Sequence, residues 1–152
     1  MNRKIHRGER VSETVEKNQL REGTRILREM ETVFYMIHIF CKGQHGHLEK
    51  ENAIVELRHR SKSSNRVLKI LLCKDCVELQ QYASKRLSLC RFGENKTTCV
   101  SCPVHCYAPS QRERIKEVMR YAGPRMLWSH PVLTVRHLLD GQAKASIKEL
   151  GS

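Results

Sequence analysis

Seven cysteines at positions 41, 73, 76, 90, 99, 102 and 106 are the residues best suited to chemistry in this chain. Six of them fall between 73 and 106. Cys73-Lys-Asp-Cys76 is a CxxC pair, and Cys99-Val-Ser-Cys102 is a second, with 22 residues between them. Two intervening residues let both sulfurs turn onto one ion. Two such knuckles supply the four thiolates that Zn²⁺ takes in a tetrahedral structural site. The later run supports iron as well. Cys99, Cys102 and Cys106 lie close together, and Cys73, Cys76 or Cys90 could add the remote fourth thiolate that wraps a cubane cluster.

Counting ligands leaves the metal open. Six clustered thiols exceed one four-ligand site by two. Cys41 together with one His (45, 47 or 105) would raise the number to eight, enough for two sites. An iron–sulfur cluster is the first reading, zinc the second and metal-free thiol redox chemistry the third. The bland alternatives concern single residues. Cys76 and Cys90 each lie on an apolar stripe and could be small buried hydrophobes. His6, His38, His59, His130 and His137 read as surface or packed residues, Met119 and Met126 as core fillers, and Trp128 as a packing anchor.

These ligands need elements to hold them. Ile26, Met30, Val33, Ile37 and Cys41 recur at steps of 4, 3, 4 and 4, which predicts a helix over 18–41 ended by Gly43. Cys76, Leu79, Ala83, Leu87 and Cys90 step by 3, 4, 4 and 3, predicting a helix within 73–90. A third helix opens at Pro109 and carries Ile115, Val118, Met119, Ala122 and Met126, with Gly123-Pro124 expected to stop or bend it. A fourth starts at Pro131 and is capped by Gly141. Residues 42–72 are less patterned. A short helix over about 48–60 is expected, then a Ser-rich loop, then a buried turn or short strand at 66–72. The chain thus reads as mainly α: a single Cys-rich helical domain over 18–141 organised around a metal site. Residues 48–70 read as an insertion or loop, 1–17 as a flexible basic and polar arm, and 142–152 as a frayed tail.

The chain has 152 residues, 28 Lys and Arg against 16 Asp and Glu, and a net charge of +12. That excess raises a nucleic-acid reading, because Lys and Arg release counterions from phosphates. Arg58, Arg60, Lys62 and Arg66 form the densest basic stretch. The excess is nonetheless spread, at +6 over 1–72, +2 over 73–106 and +4 over 107–152. Aromatics for base stacking make up only 5%. No apolar run approaches the roughly 18 residues of a membrane span, and no secretory leader is visible, so a cytoplasmic location is expected. Phosphate-binding glycine loops, HExxH and GxSxG are missing, and a non-catalytic role is the first expectation.

The string RFGENKTTCVSCPVHCYAPSQRERIKEVMRYAGPRMLWSHPVLTVRHLLDG at 91–141, with FCKGQHG at 40–46 and CKDCVELQQYASKRLSLC at 73–90, resembles the small bacterial "nitrous oxide-stimulated promoter" family. CPVHCY and MRYAGPRML are the most specific blocks. The resemblance implies a role under nitric-oxide stress and carries Cys41, His45, Cys73, Cys76, Cys90, Cys99, Cys102, His105 and Cys106 over as the matching positions. Nitric oxide attacks iron–sulfur clusters and thiolates. A thiol-rich metalloprotein made under that stress would sense, absorb or repair the damage. The rival expectations are a nucleic-acid-binding regulator with a structural metal, and a thiol oxidoreductase or cluster-repair factor using Cys73 and Cys76.

Overall fold

The computed structural model describes residues 24–58, 65–90 and 106–139. The arm expected at 1–17 and the tail expected at 142–152 lie outside them. Helix α1 spans Thr24–Gln44. A hairpin follows, with β1 over Glu51–Arg58 and β2 over Asn65–Leu72. Helix α2 spans Lys74–Ser88 and α3 spans Pro109–Ser129. A further helical stretch, α4, covers 131–139. The described residues are mainly α, as the spacing predicts.

Helix α1 is the spine. The stripe from Ile26 through Met30, Val33 and Ile37 to Cys41 is buried along its length, and Phe34 joins it at 1% exposure. Both α2 and α3 pack on this helix, and β2 touches it. The second stripe is equally buried: Cys76, Leu79, Ala83 and Leu87 face the core. Each large aliphatic side chain so buried contributes about 2 kcal/mol of transfer free energy.

Three sequence expectations are corrected. The short helix at 48–60 is instead strand β1, paired antiparallel with β2 from Glu51 opposite Leu72 to Arg58 opposite Asn65. Ala53, Val55 and Leu57 alternate inward while Asn52, Ile54 and Glu56 face outward, the period of two that strands require. Ile54 sits exposed on the outer face, so three consecutive apolar residues mask that alternation in the sequence. Arg66 at the start of β2 reaches Glu31 of α1 at 2.8 Å and ties the hairpin to the spine.

The second correction is that Gly123-Pro124 does not stop the helix. Helix α3 runs through both, with Pro124 inside it. Proline cannot donate to the carbonyl four residues back, at a cost of about 3 kcal/mol in a helix interior. The buried residues Ile115, Val118, Ala122 and Met126 continue one stripe across the proline, and their packing offsets that loss. Trp128 is also not a packing anchor: it is 87% exposed. Met126 is fully buried, as expected of a core filler.

Candidate metal centre

The end of α1 and the start of α2 meet, and each brings a pair of ligands. Cys41 lies in the last turn of α1, and the turn that follows carries His45, whose N–H donates to the Cys41 carbonyl at 2.9 Å. Cys73 stands at the N-terminal boundary of α2 in extended backbone (φ −69°, ψ 161°), and Cys76 lies in the first helical turn. The hairpin returns the chain from one pair to the other, since β2 ends at Leu72, immediately before Cys73.

One ligand atom from each of Cys41, His45, Cys73 and Cys76 lies within 4.8 Å of all the others. His45 Nδ1 is 3.3 Å from Cys76 Sγ and 3.4 Å from Cys73 Sγ. A tetrahedral zinc with about 2.3 Å to sulfur and about 2.1 Å to nitrogen separates its ligands by roughly 3.5–3.8 Å. The two nitrogen–sulfur separations fall just short of that range and no ligand pair exceeds 4.8 Å, so small side-chain shifts would seat a single ion. A cubane cluster binds each ligand through a different iron and holds the sulfurs further apart, which this spacing does not match. Three thiolates and an imidazole also suit zinc or another borderline-soft cation rather than Mg²⁺ or Ca²⁺.

The surroundings favour thiolate at Cys41. Two hydrogen bonds converge on Cys41 Sγ, from the Cys73 backbone N–H at 3.3 Å and the Lys50 ammonium at 3.2 Å. Burial pushes the Cys41 thiol up, but the Cys73 N–H, Lys50 and the neighbouring thiols together hold it below its ordinary value. Burial, then the adjacent Cys73 and Cys41, push the Cys76 thiol strongly up. That is the opposite of what an exchanging redox thiol needs. In the absence of a cation, three buried thiols next to one another cannot all ionise. A divalent ion removes that conflict. The first turn of α2 also directs the positive end of its dipole toward Cys73 and Cys76.

The ring of His45 is held by its neighbours. Phe40 meets it edge-on at 5.2 Å between centroids, and Tyr121 of α3 meets Phe40 the same way at 5.7 Å. Lys50 Nζ also donates to the His45 carbonyl, which fixes the turn from the other side.

Not every expected ligand joins this group. Cys73 and Cys76 are in it, and so are Cys41 and His45, which the sequence offers only as additions. Cys90 lies beyond the far end of α2, about 20 Å along the helix, half-buried against the core. Cys106 is exposed, beside Tyr107, which packs edge-on against Tyr82 in the middle of α2. Cys99, Cys102 and His105 lie outside the described residues, as do Arg60 and Lys62. Arg58 ends β1, and Arg66 is paired with Glu31. Lys50 went unread in the sequence, where a lone lysine after a glycine-containing turn carries no signal. No helix among the described residues is long and apolar enough to cross a membrane.

A family model described as "nitrous oxide-stimulated promoter" matches residues 24–149. An uncharacterized protein named YgbA from Escherichia coli strain K12 is 66% identical over 59 residues. Those residues are 39% of this chain and 50% of the relative, so the chain spans about half the length of the curated protein it matches. No solved structure matches.

Proposed function

The chain belongs to the nitrous oxide-stimulated promoter family, and from that membership and the four-ligand pocket we propose that it is a metal–thiolate protein acting in the response to, or recovery from, nitric-oxide stress. Its first centre is a single zinc ion on Cys41, His45, Cys73 and Cys76. The observation that carries this reading is the convergence of those four ligand atoms within 4.8 Å, from segments about thirty residues apart in the chain.

A complete first set changes the ligand count. It leaves Cys90, Cys99, Cys102 and Cys106, four thiols within one stretch of chain. We assign these to a second centre, where the three closely spaced thiols and one remote thiol suit an iron–sulfur cluster, with a second zinc as the other occupant of the same set. His105, inside that run, is the spare ligand. Thiolates and clusters are both targets of nitric-oxide chemistry: an accessible thiolate such as Cys106 takes the nitroso group from dinitrogen trioxide, the oxidised form of nitric oxide, with nitrite leaving, and a ligand so capped is lost to the metal. A centre of this kind reports or absorbs the stress by losing metal. Nothing in this reading requires turnover.

The test is anaerobic purification with metal, iron and sulfide analysis on the wild type, Cys73→Ser and Cys99→Ser. One zinc lost in Cys73→Ser, with the second centre retained, supports the assignment. Zinc content unchanged in Cys73→Ser, or a wild-type chain that takes up no metal and keeps its fold, overturns it.

A further inference from the structure

The four ligands of the first centre are not equally placed. Cys41, Cys73 and Cys76 are 1%, 2% and 2% exposed, so no incoming molecule reaches them without the fold opening. His45 is half-buried at the rim, in the turn after α1 rather than in a helix or strand. It is the one ligand that can leave by rotation of a short turn while the three sulfurs stay where the core holds them. Resting on the metal reading above, the geometry points to His45 as the exchangeable ligand through which the centre is loaded, unloaded and reached by small molecules, with Lys50 as the clasp that holds it in place.

Lys50 earns this role by its two contacts. Its ammonium donates to Cys41 Sγ at 3.2 Å, on the buried wall, and also to the carbonyl of His45, on the movable turn. One cation thus bridges the part that moves and the part that does not. The turn has few other ties. His45 N–H is bonded to the Cys41 carbonyl, Leu48 N–H to the His45 carbonyl, and the imidazole rests on the edge of Phe40. Leu48 is exposed and adds little packing. When the turn swings out, His45 Nδ1 withdraws from Cys73 and Cys76 and opens a single coordination position on a metal still held by three thiolates. A small neutral or anionic ligand with one coordinating atom fits that position: an imidazole, a free thiol or a diatomic gas. Lys50 acts here by charge and reach, and is a positioning residue rather than a ligand.

The experiment follows zinc release from the loaded, full-length chain to a colorimetric chelator, with helix content checked by circular dichroism. Lys50→Met is expected to release zinc about tenfold faster, since it removes the charge-assisted hydrogen bond that holds the His45 turn to the buried wall. Lys50→Arg, which keeps the cation, is expected to stay within about threefold of wild type. His45→Gly is expected to release zinc faster still, and added imidazole to slow it again by filling the vacated position. A wild-type rate in Lys50→Met, or a release rate in His45→Gly that imidazole does not change, overturns the proposal. If Lys50→Met loses helix content, Lys50→Gln is read instead against the same rates. Failure of the metal reading itself is a separate outcome, seen as a wild-type chain that takes up no zinc.

Discussion

Tyr121 occupies the space that a side chain on Gly43 would need: a β-carbon built on Gly43 falls onto the phenol ring and its hydroxyl. This close approach lets the last turn of α1, which carries Cys41, lie against α3. Phe40 and Arg125 complete the contact, Phe40 edge-on to the ring and Arg125 stacked over it at 3.7 Å.

Gly43→Ala is therefore expected to destabilise the chain by about 1–3 kcal/mol through overpacking. The intrinsic helix preference for Ala over Gly runs the other way, by about 1 kcal/mol. In the double variant Gly43→Ala/Tyr121→Ala the clash is gone, so its cost is expected to be less than the sum of the two singles. Urea denaturation of the four proteins measures this. Strict additivity would show that the ring does not meet the turn.

Glu29 is 2% exposed and lies between Arg25 of the same helix and His137 of α4, whose Nδ1 is 3.2 Å from its carboxylate. Glu29→Ala removes a buried carboxylate from between the 6%-exposed Arg25 and His137 and is expected to cost about 3 kcal/mol. His137→Ala removes one contact of the same carboxylate and is expected to cost about 1 kcal/mol. Equal losses in chemical denaturation would contradict this ranking.

The helices were legible because their stripes are long and regular, and the stripe that ends at Cys41 placed that thiol on the buried face of α1. Which knuckles pair was not legible. Cys73-x2-Cys76 faces Cys41-x3-His45 because the hairpin folds β2 back to the end of α1. The hairpin itself was hidden by Ile54, an apolar residue on the outer strand face. Local spacing names ligands, but only the return path of the chain decides which ligands share an ion. The passage of α3 through Pro124 was hidden for the converse reason: tertiary burial of Met126 outweighs a local breaker.

His38 is held below the ordinary histidine value of 6.5 by burial first, then by the nearby cations Lys42, His130 and Lys50. Its Nδ1 is buried without a hydrogen-bond partner among the described residues. Between the lowered value and 6.5 the unfolded chain binds more protons than the folded one. Stability therefore rises with pH across that window and is flat above it. His38→Gln is expected to lose less thermal stability than wild type as pH falls from about 7.5 to about 5.5. The difference between the two melting curves isolates this group from the thiols they share. A difference that does not change with pH would remove His38 as the cause.

Trp128 is the sole tryptophan, and its exposure makes it a clean optical reporter. Its fluorescence is expected to be that of a solvated indole, quenched by iodide in the folded state nearly as well as in urea. Trp128→Ala is expected to change stability by no more than about 0.5 kcal/mol. A protected, blue-shifted emission would place the ring against a surface that the chain buries elsewhere.

Removal of the metal gives the last test. An ion on Cys41, His45, Cys73 and Cys76 joins the end of α1 to the start of α2 across the whole hairpin. A ligand that binds only the folded state, at a thousandfold excess over its dissociation constant, adds about 4 kcal/mol. For a domain of this size that corresponds to roughly 10 °C in melting temperature. A strong chelator is expected to lower the melting temperature of the loaded wild type by about that amount, and to lower that of Cys76→Ser by less, leaving only the share of the second centre, because that variant has already lost a ligand of the first. Apart from Cys41 and Cys76 at their ends, the stripes of α1, α2 and α3 do not involve the metal, so most far-UV helix signal is expected to survive at room temperature. A chelator that leaves the wild-type melting curve in place would show that the apolar core alone holds the two helix ends together and that the four ligands meet without an ion.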